Sequence, residues 1–175
     1  MGLVRLIGLL VVAAAAWGCA SSGAVPRPFP GAPGGPAPTP APEVLPETAR
    51  ALGALVVETA LGLRGVPYRA GGSSPSGFDC SGFVQYVFAQ HGIALPREVR
   101  EQVRFGGEVR LAGVEAGDLI FFAIDGGVSH VGMAVGGDEF VHAPSARGTV
   151  RVEKFSAPYW ARRIVGVRRI AQPRP

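Results

Sequence analysis

Apolar residues recur at helical spacing in the segment that begins near residue 47. These regularly spaced positions are Ala49, Leu52, Leu55, Val56, Thr59, Ala60 and Leu63. Their period places them along one face of a helix. Glu47 or Thr48 can begin this helix, and Gly65 can end it. We therefore predict a first helix that packs against a core along a single apolar stripe.

A second helical pattern starts at Cys80. Two apolar pairs spaced four residues apart support it, and they are Phe83 with Val87 and Val84 with Phe88. Because these side chains are bulky and closely spaced, we predict that the helix is well buried. Gly92 is suited to end it. A further short helix is predicted over residues 99–105.

The second half of the chain shows the shorter patterns of strands. A continuous apolar run at Asp118–Phe122 predicts a buried strand, and residues His130–Val135 alternate between two faces. The turn signal Gly136-Gly137-Asp138 predicts that Glu139–Ala143 returns as the second strand of a hairpin. A final strand is predicted at Ile164–Ile170. Helices followed by antiparallel strands indicate the α+β class.

The chain opens with the pattern of an export signal. Arg5 precedes an uncharged apolar run at residues 6–16, which is shorter than the ~20 residues that a membrane-spanning helix needs. Residues 1–18 are therefore predicted to be a signal peptide. The pair Gly18-Cys19 resembles a bacterial lipobox, in which the cysteine is lipidated, although Ala16 and Trp17 depart from the usual pattern. The alternative is an ordinary cleavable signal in which Cys19 has no role.

Residues 19–47 are predicted to form a linker. Nine prolines fall between Pro26 and Pro46, and such a composition favours extended conformations over a packed core. Residues 48–171 then form one domain of ordinary size, large enough to bury a core without disulfides or metals. With Cys19 lipidated, the linker would hold this domain away from a membrane, and Ser21 is typical of sorting to the outer membrane.

The charge of the chain is moderately basic, with a formal net charge of +4 and a pI near 9.7. Nucleic acid or an anionic cell envelope could attract such a chain. The export signal favours the envelope, so we expect no nucleic-acid partner. From Val141 to Pro175 there are eight Arg or Lys residues and one acidic residue, Glu153. This segment either attracts an anionic surface or forms an ordinary solvated face.

Cys80 is the candidate nucleophile. It stands where a Gly-rich loop meets a helix start, and the helix dipole there favours the thiolate, which is the reactive form of cysteine. The commoner role of a cysteine in an apolar helix is core packing.

The other cysteine, Cys19, has its own predicted role, so no disulfide is expected. No Cys/His cluster has zinc spacing, and neither a metal nor another cofactor is expected. His91 lies at the far end of the helix, roughly 16 Å along its axis, and is a poor partner.

Two other histidines can serve Cys80. His130 and His142 lie on the two strands of the predicted hairpin, so one ring can take the proton of Cys80 while the other orients it. His130 shares its face with Gly132 and Ala134, and these small residues are expected to leave room for the Cys80 helix. For either histidine, the alternative is a structural role within the sheet.

Seven short segments point to a known family. They are Gly65-Val66-Pro67-Tyr68, Gly71-Gly72, Phe78-Asp79-Cys80-Ser81-Gly82-Phe83-Val84, Leu95-Pro96-Arg97, Gly117-Asp118-Leu119-Ile120-Phe121-Phe122, His130-Val131-Gly132 and Phe140-Val141-His142-Ala143. Their content and order resemble the NlpC/p60 family of papain-like cell-wall cysteine peptidases. The resemblance implies a papain-like α+β fold with the nucleophile at a helix N-terminus. It implies that Cys80 is the nucleophile, His130 the general base and His142 the residue that orients the base.

The resemblance also implies a set of substrate contacts. Tyr68 would line the site near the nucleophile, and Asp79 and Ser81 would contact a free amine of the substrate. Arg97 belongs to the same set through its Leu-Pro-Arg segment. The alternatives are core packing for the ring of Tyr68 and helix capping for Asp79. Ala70 stands where the family often has an aromatic residue, which changes one wall of the cleft.

The function implied is hydrolysis of an amide bond in peptidoglycan stem peptides through an acyl-enzyme. The D-glutamyl–diaminopimelate bond is the commonest target in the family, and the D,D cross-link is the alternative. Two other functions stay open: a non-catalytic wall-binding lipoprotein with the same fold, and a secreted amidase or toxin aimed at a competitor's wall. The expected location is the cell envelope, with a lipid anchor in the outer membrane.

Overall fold

A computed structural model describes residues 47–145 and 148–170 of the chain. The predicted signal peptide, the predicted linker up to residue 46 and the predicted lipidation site Cys19 lie outside the described residues. None of the helices within the described ranges is long and apolar enough to cross a lipid bilayer.

The helices precede most of the sheet in the chain. The described helices are α1 (Glu47–Gly62), α2 (Cys80–Ala89), α3 (Val99–Gln102) and α4 (Pro158–Ala161), with a 3₁₀ turn at Leu111–Gly113. The predictions of α1 and α2 from apolar spacing are confirmed. The helix predicted over residues 99–105 is one turn long, and α4 was not predicted.

A six-stranded antiparallel sheet forms the second half of the fold. The described strands are β1 (Ser73–Ser74), β2 (Gly77–Phe78), β3 (Gly107–Glu108), β4 (Leu119–Ala123), β5 (Val128–Gly136), β6 (Glu139–His142), β7 (Arg151–Lys154) and β8 (Ile164–Arg169). The strand order in the large sheet is β3-β8-β4-β5-β6-β7. The predicted hairpin is confirmed as β5 and β6, with Met133 opposite Val141 and Ala134 opposite Phe140. The α+β class is confirmed.

Apolar side chains cover both faces of this sheet, which explains the unbroken apolar run of β4. Leu119 and Phe121 point into a core shared with α1 and α2. Ile120 and Phe122 point to the opposite face and pack in a second cluster with Trp160 of α4. Because side chains alternate along a strand, a strand buried on both faces needs apolar residues at every position.

The packing of α2 on the sheet brings its first residue to the start of β5. Val84 and Phe88 of α2 share the main core with Val131 and Met133 of β5. The chain before α2 is fixed as well, because the backbone N–H of Tyr68 donates to the carbonyl of Gly148 at 2.8 Å. The start of α2 therefore lies against the start of β5, with Cys80 Sγ 3.9 Å from the carbonyl oxygen of Ser129.

Candidate active site

Cys80 occupies the first turn of α2, where a tight loop enters the helix. Asp79 caps this helix, because its Oδ1 accepts a hydrogen bond from the N–H of Gly82 at 2.7 Å. The carbonyl oxygen of Gly72 packs closely against the same turn. A β-carbon at Gly82 would lie 2.1 Å from this oxygen. The glycine of the Asp-Cys-Ser-Gly segment is therefore required by close packing, and this packing fixes the position of the Cys80 side chain.

The sulfur of Cys80 faces the backbone on both sides of His130. Its Sγ lies 3.9 Å from the carbonyl oxygen of Ser129, and the N–H of Val131 is a donor that favours the thiolate. Burial is the largest influence and raises the pKa of the thiol, and the negative charge of Asp79 adds to this rise. The N–H groups of Cys80 and Ser81 at the helix start lower the pKa, as expected for a helix N-terminus, but burial has the larger effect.

His130, the residue between the two backbone groups that face Cys80, forms a buried pair with His142. The Nε2 of His130 lies 2.8 Å from the Nδ1 of His142, so one nitrogen donates and the other accepts. His130 is 4% exposed and His142 is 0% exposed. Burial and then the neighbouring His142 lower the pKa of His130 to about 3. Burial likewise lowers the pKa of His142 to about 4. Both rings are therefore neutral at physiological pH.

The small residues beside His130 serve a different purpose from the one expected. A β-carbon at Gly132 would lie 2.5 Å from Cδ2 of Phe140 and 3.0 Å from Cβ of His142. Ala134 packs in the second cluster with Phe140. The prediction that this face admits the Cys80 helix is wrong, because α2 packs on the opposite face of β5. The small residues instead make room for β6 side chains, including the second ring of the histidine pair.

Two residues that sequence reasoning missed extend the histidine pair. Glu153 on β7 places Oε1 3.7 Å from the Nε2 of His142. Its Oε2 accepts a hydrogen bond from Nε1 of Trp160 at 2.5 Å. The ring of Trp160 also stacks on His130, with centroids 5.4 Å apart and planes 24° apart. In the sequence, Glu153 stands out only as the lone acidic residue of a basic segment. This feature does not reveal that Glu153 faces His142.

His91 lies outside the site, as its position at the far end of α2 predicted. Its Nε2 lies 2.9 Å from the Oγ1 of Thr59 on α1. This hydrogen bond ties the end of α2 to α1. His91 therefore has a structural partner of its own.

The predicted substrate contacts form one polar network on the other side of Cys80. Arg97 donates to both oxygens of Asp79, at 3.0 and 2.5 Å, and to the Oγ of Ser81 at 2.8 Å. Burial, and then the charges of Cys80 and Asp79, raise the pKa of Tyr68. The hydrogen bonds thus join three of the four predicted residues, with the Asp79 carboxylate already paired to a guanidinium.

His130 also lines an open groove of about 630 Å³. Trp160 and Tyr159 give this groove aromatic walls, and Arg151, Lys154 and Glu153 give it charges of both signs. Its volume is within the usual range for a small-molecule site.

Part of the basic C-terminal segment is paired within the fold. Arg168 lies 3.2 Å from Glu108, Arg169 lies 2.7 Å from Asp118, and Arg151 lies 2.5 Å from Glu153. These ion pairs neutralise part of the positive charge and favour an ordinary solvated face over a docking surface.

This arrangement suits nucleophilic catalysis. The Nε2 of His130 is engaged by His142, so Nδ1 is the nitrogen left to accept the proton of the Cys80 thiol. The backbone N–H of Cys80, at the start of α2, is a donor suited to an oxyanion. Among the described residues, no group of three His, Cys, Asp or Glu side chains is arranged to hold a metal ion.

Comparison with known proteins places this geometry in a family. The profile of the NlpC/P60 family matches residues 65–169. The murein DD-endopeptidase MepS/murein LD-carboxypeptidase of Escherichia coli K12 is 41% identical over 108 residues, which are 61% of this chain and 57% of that protein. The γ-D-glutamyl-L-lysine dipeptidyl-peptidase of Bacillus subtilis 168 is 35% identical over 117 residues, covering 65% of this chain and 40% of that protein. The chain therefore spans about half the length of these relatives.

A solved structure shows the same fold. The crystal structure of an NlpC/P60 family protein from Bacillus cereus superposes with a TM-score of 0.65 at 37% sequence identity. The match covers 67% of this chain and 39% of that one. The papain-like α+β fold is therefore confirmed.

Proposed function

Because this chain belongs to the NlpC/P60 family, we propose that it is a cysteine peptidase that hydrolyses an amide bond in peptidoglycan stem peptides. The observation that carries the proposal is the placement of the Cys80 Sγ 3.9 Å from the carbonyl oxygen of Ser129, the residue before His130, whose ring in turn lies 2.8 Å from that of His142. Nucleophile, base and orienting group thus stand in the order that acyl transfer needs.

The reaction begins with a neutral Cys80 thiol and a neutral His130 ring. His130 Nδ1 takes the proton of Cys80 as the sulfur attacks the carbonyl carbon, and the N–H of Cys80 donates to the oxyanion. Collapse of the tetrahedral intermediate breaks the C–N bond, and His130 gives its proton to the leaving amine. Water, deprotonated by His130, then attacks the thioester and releases the acid and the Cys80 thiol.

Stem peptides are the substrate class that the name of a relative supports. The E. coli relative is named for activity on murein, the peptidoglycan of the cell wall. The groove beside His130 does not add to this support, because its Arg151 and Lys154 already lie within ion-pair distance of Glu153 and Asp138.

Two bonds are candidates. The D-glutamyl–diaminopimelate bond would use Asp79 and Ser81 to hold a free amine, and the B. subtilis relative is named for a γ-D-glutamyl bond. The D,D cross-link is favoured by the name of the E. coli relative. It is also favoured by Arg97, which already neutralises the Asp79 carboxylate and so weakens a site for an amine.

The experiment is digestion of purified sacculi, followed by mass spectrometry of the soluble products. A peptidoglycan hydrolase releases muropeptides, and the new termini identify the bond. Conversion of cross-linked dimers to monomers indicates D,D cleavage, whereas loss of the diaminopimelate end indicates D-glutamyl cleavage. A folded protein that releases neither product contradicts the proposal and favours the alternative of a non-catalytic wall-binding protein.

We also propose an outer-membrane location through a lipid on Cys19, supported by the apolar run that precedes Gly18-Cys19. Cys19→Ala should move the protein from the membrane fraction to the soluble fraction. Unchanged membrane association of Cys19→Ala would contradict lipidation at this residue. Activity toward a competitor's wall stays an alternative, and a protein secreted past the outer membrane would favour it.

A further inference from the structure

The buried end of the histidine pair points at a carboxylate. The Nε2 of His142 is buried and has no hydrogen-bond partner within range. The Oε1 of Glu153 is 3.7 Å away, so the contact is electrostatic in the free protein. Catalytic hydrogen bonds are often long in free enzymes and shorten when substrate binds.

Glu153 is held firmly in this position from two sides. Its Oε2 accepts from the indole N–H of Trp160, and its Oε1 accepts from Nε of Arg151. Burial alone would raise the pKa of Glu153, but these two hydrogen bonds and nearby His142 lower it below its usual value. The carboxylate is therefore ionised when it faces His142.

The carboxylate can decide which nitrogens of the two rings carry protons. An acceptor beside Nε2 of His142 favours a proton on that nitrogen, which leaves Nδ1 of His142 as an acceptor. His130 must then donate through Nε2, so its Nδ1 is unprotonated. That tautomer of His130 is the one able to take a proton from Cys80.

The charged groups around the pair act in opposite directions. From β7, Glu153 raises the pKa of His142, whereas Arg151 lowers it. From β5, His130 is the other titratable group in contact with His142. From α4, Trp160 contributes a neutral ring and an N–H. Glu153 is therefore the group among these that favours an imidazolium.

We propose that Glu153 is a positioning residue that acts through His142 to set the tautomer of His130 and to stabilise the imidazolium that forms when Cys80 loses its proton. Trp160 supports this role, because it both stacks on His130 and holds Glu153. The inference rests on the proposed function, since it concerns the base of that reaction.

The central variant is Glu153→Gln. Glutamine has the size of glutamate but only one side-chain oxygen that can accept hydrogen bonds. Trp160 donates to one oxygen of Glu153, and Arg151 and His142 face the other, so glutamine can supply an acceptor to only one of these two sides. We expect kcat to fall about 10-fold, with KM within about twofold of the wild type, because the interaction acts on the base and not on substrate binding. Glu139→Gln, on the exposed start of β6, is the matched control and should leave kcat unchanged.

A second readout needs no substrate. In ¹⁵N spectra of the imidazoles, the wild type should show protons on Nε2 of both His130 and His142 at neutral pH. Glu153→Gln should show the opposite tautomer or a mixture. Trp160→Phe keeps the ring but removes the N–H, so it should change kcat in the same direction and should be non-additive with Glu153→Gln.

The outcomes separate this inference from the proposed function. Reduced kcat with a changed tautomer supports it. An unchanged kcat in Glu153→Gln, or unchanged tautomers, overturns it even where the wild type digests sacculi. A folded wild type that digests no sacculi overturns the proposed function instead, and the tautomers then decide whether Glu153 positions the pair.

Discussion

The Nε2 of His130 lies 2.8 Å from the Nδ1 of His142, and both rings are buried. This bond occupies one nitrogen of His130 and leaves the other for Cys80. It also links the base to a second buried ring, so a change at His142 should be transmitted to the chemistry at Cys80.

His142→Ala should therefore lower kcat by about 10²-fold or more, because general-base catalysis is lost when the base is wrongly oriented. KM should change little. His142→Gln keeps a polar partner for His130 and should retain more activity. Steady-state kinetics on a soluble muropeptide check this. Activity of His142→Ala within about twofold of the wild type would show that His130 needs no orienting partner.

The folded protein should lose stability on acidification below pH 6.5. The pKa of His130 is lowered to about 3 and that of His142 to about 4, so the unfolded chain binds more protons below pH 6.5. The stabilisation is complete above pH 6.5 and declines as the pH falls toward 4, because the unfolded chain takes up protons that the buried pair does not. Urea denaturation between pH 7 and 4.5 checks this.

The control for this pH dependence is His142→Asn, which removes one of the two titrating rings. Its stability should vary less steeply with pH over the same range. Equal slopes for variant and wild type would mean that the buried pair does not cause the dependence.

Gly132→Ala should destabilise the fold by about 1–3 kcal/mol, the usual cost of overpacking. The added methyl would lie 2.5 Å from Phe140 and 3.0 Å from Cβ of His142, so activity should fall together with stability. Thermal denaturation and kinetics test this. Gly127→Ala is the matched control, because a β-carbon there meets nothing within 4 Å. Similar losses in the two variants would contradict the packing argument.

Alkylation of Cys80 should require a higher pH than alkylation of a free thiol. Burial raises the pKa of this thiol, and the Asp79 carboxylate adds to the rise. The rate of reaction with iodoacetamide, measured against pH in a Cys19→Ala background, reports the pKa. Asp79→Asn keeps a good helix cap but removes the charge, so it should lower the apparent pKa. Rapid alkylation of the wild type at pH 5 would instead reveal a stable thiolate.

The parts of the fold that depend on local pattern were predictable. Apolar spacing predicted α1 and α2, and the glycine turn at residues 136–137 predicted the hairpin that joins His130 to His142. β7 was not predicted, because its short sequence Arg151–Lys154 is mostly charged and lies at the sheet edge. α4 is a single turn, too short for a periodic pattern.

The features of the site that depend on tertiary packing were not predictable. The contact between Glu153 and His142 joins neighbouring strands of which one was unrecognised. The raised pKa of Cys80 arises from burial, which a single sequence does not reveal. The role of Gly132 was misassigned because alternation along β5 identifies two faces but not which one α2 covers.

The measurement that tests the central claim most directly is release of muropeptides from purified sacculi by the wild type and by Cys80→Ala, with Cys19→Ala as the matched cysteine control. We expect release by the wild type and by Cys19→Ala, and none above background by a folded Cys80→Ala protein. Equal release by the wild type and Cys80→Ala would contradict the assignment of Cys80 as the nucleophile.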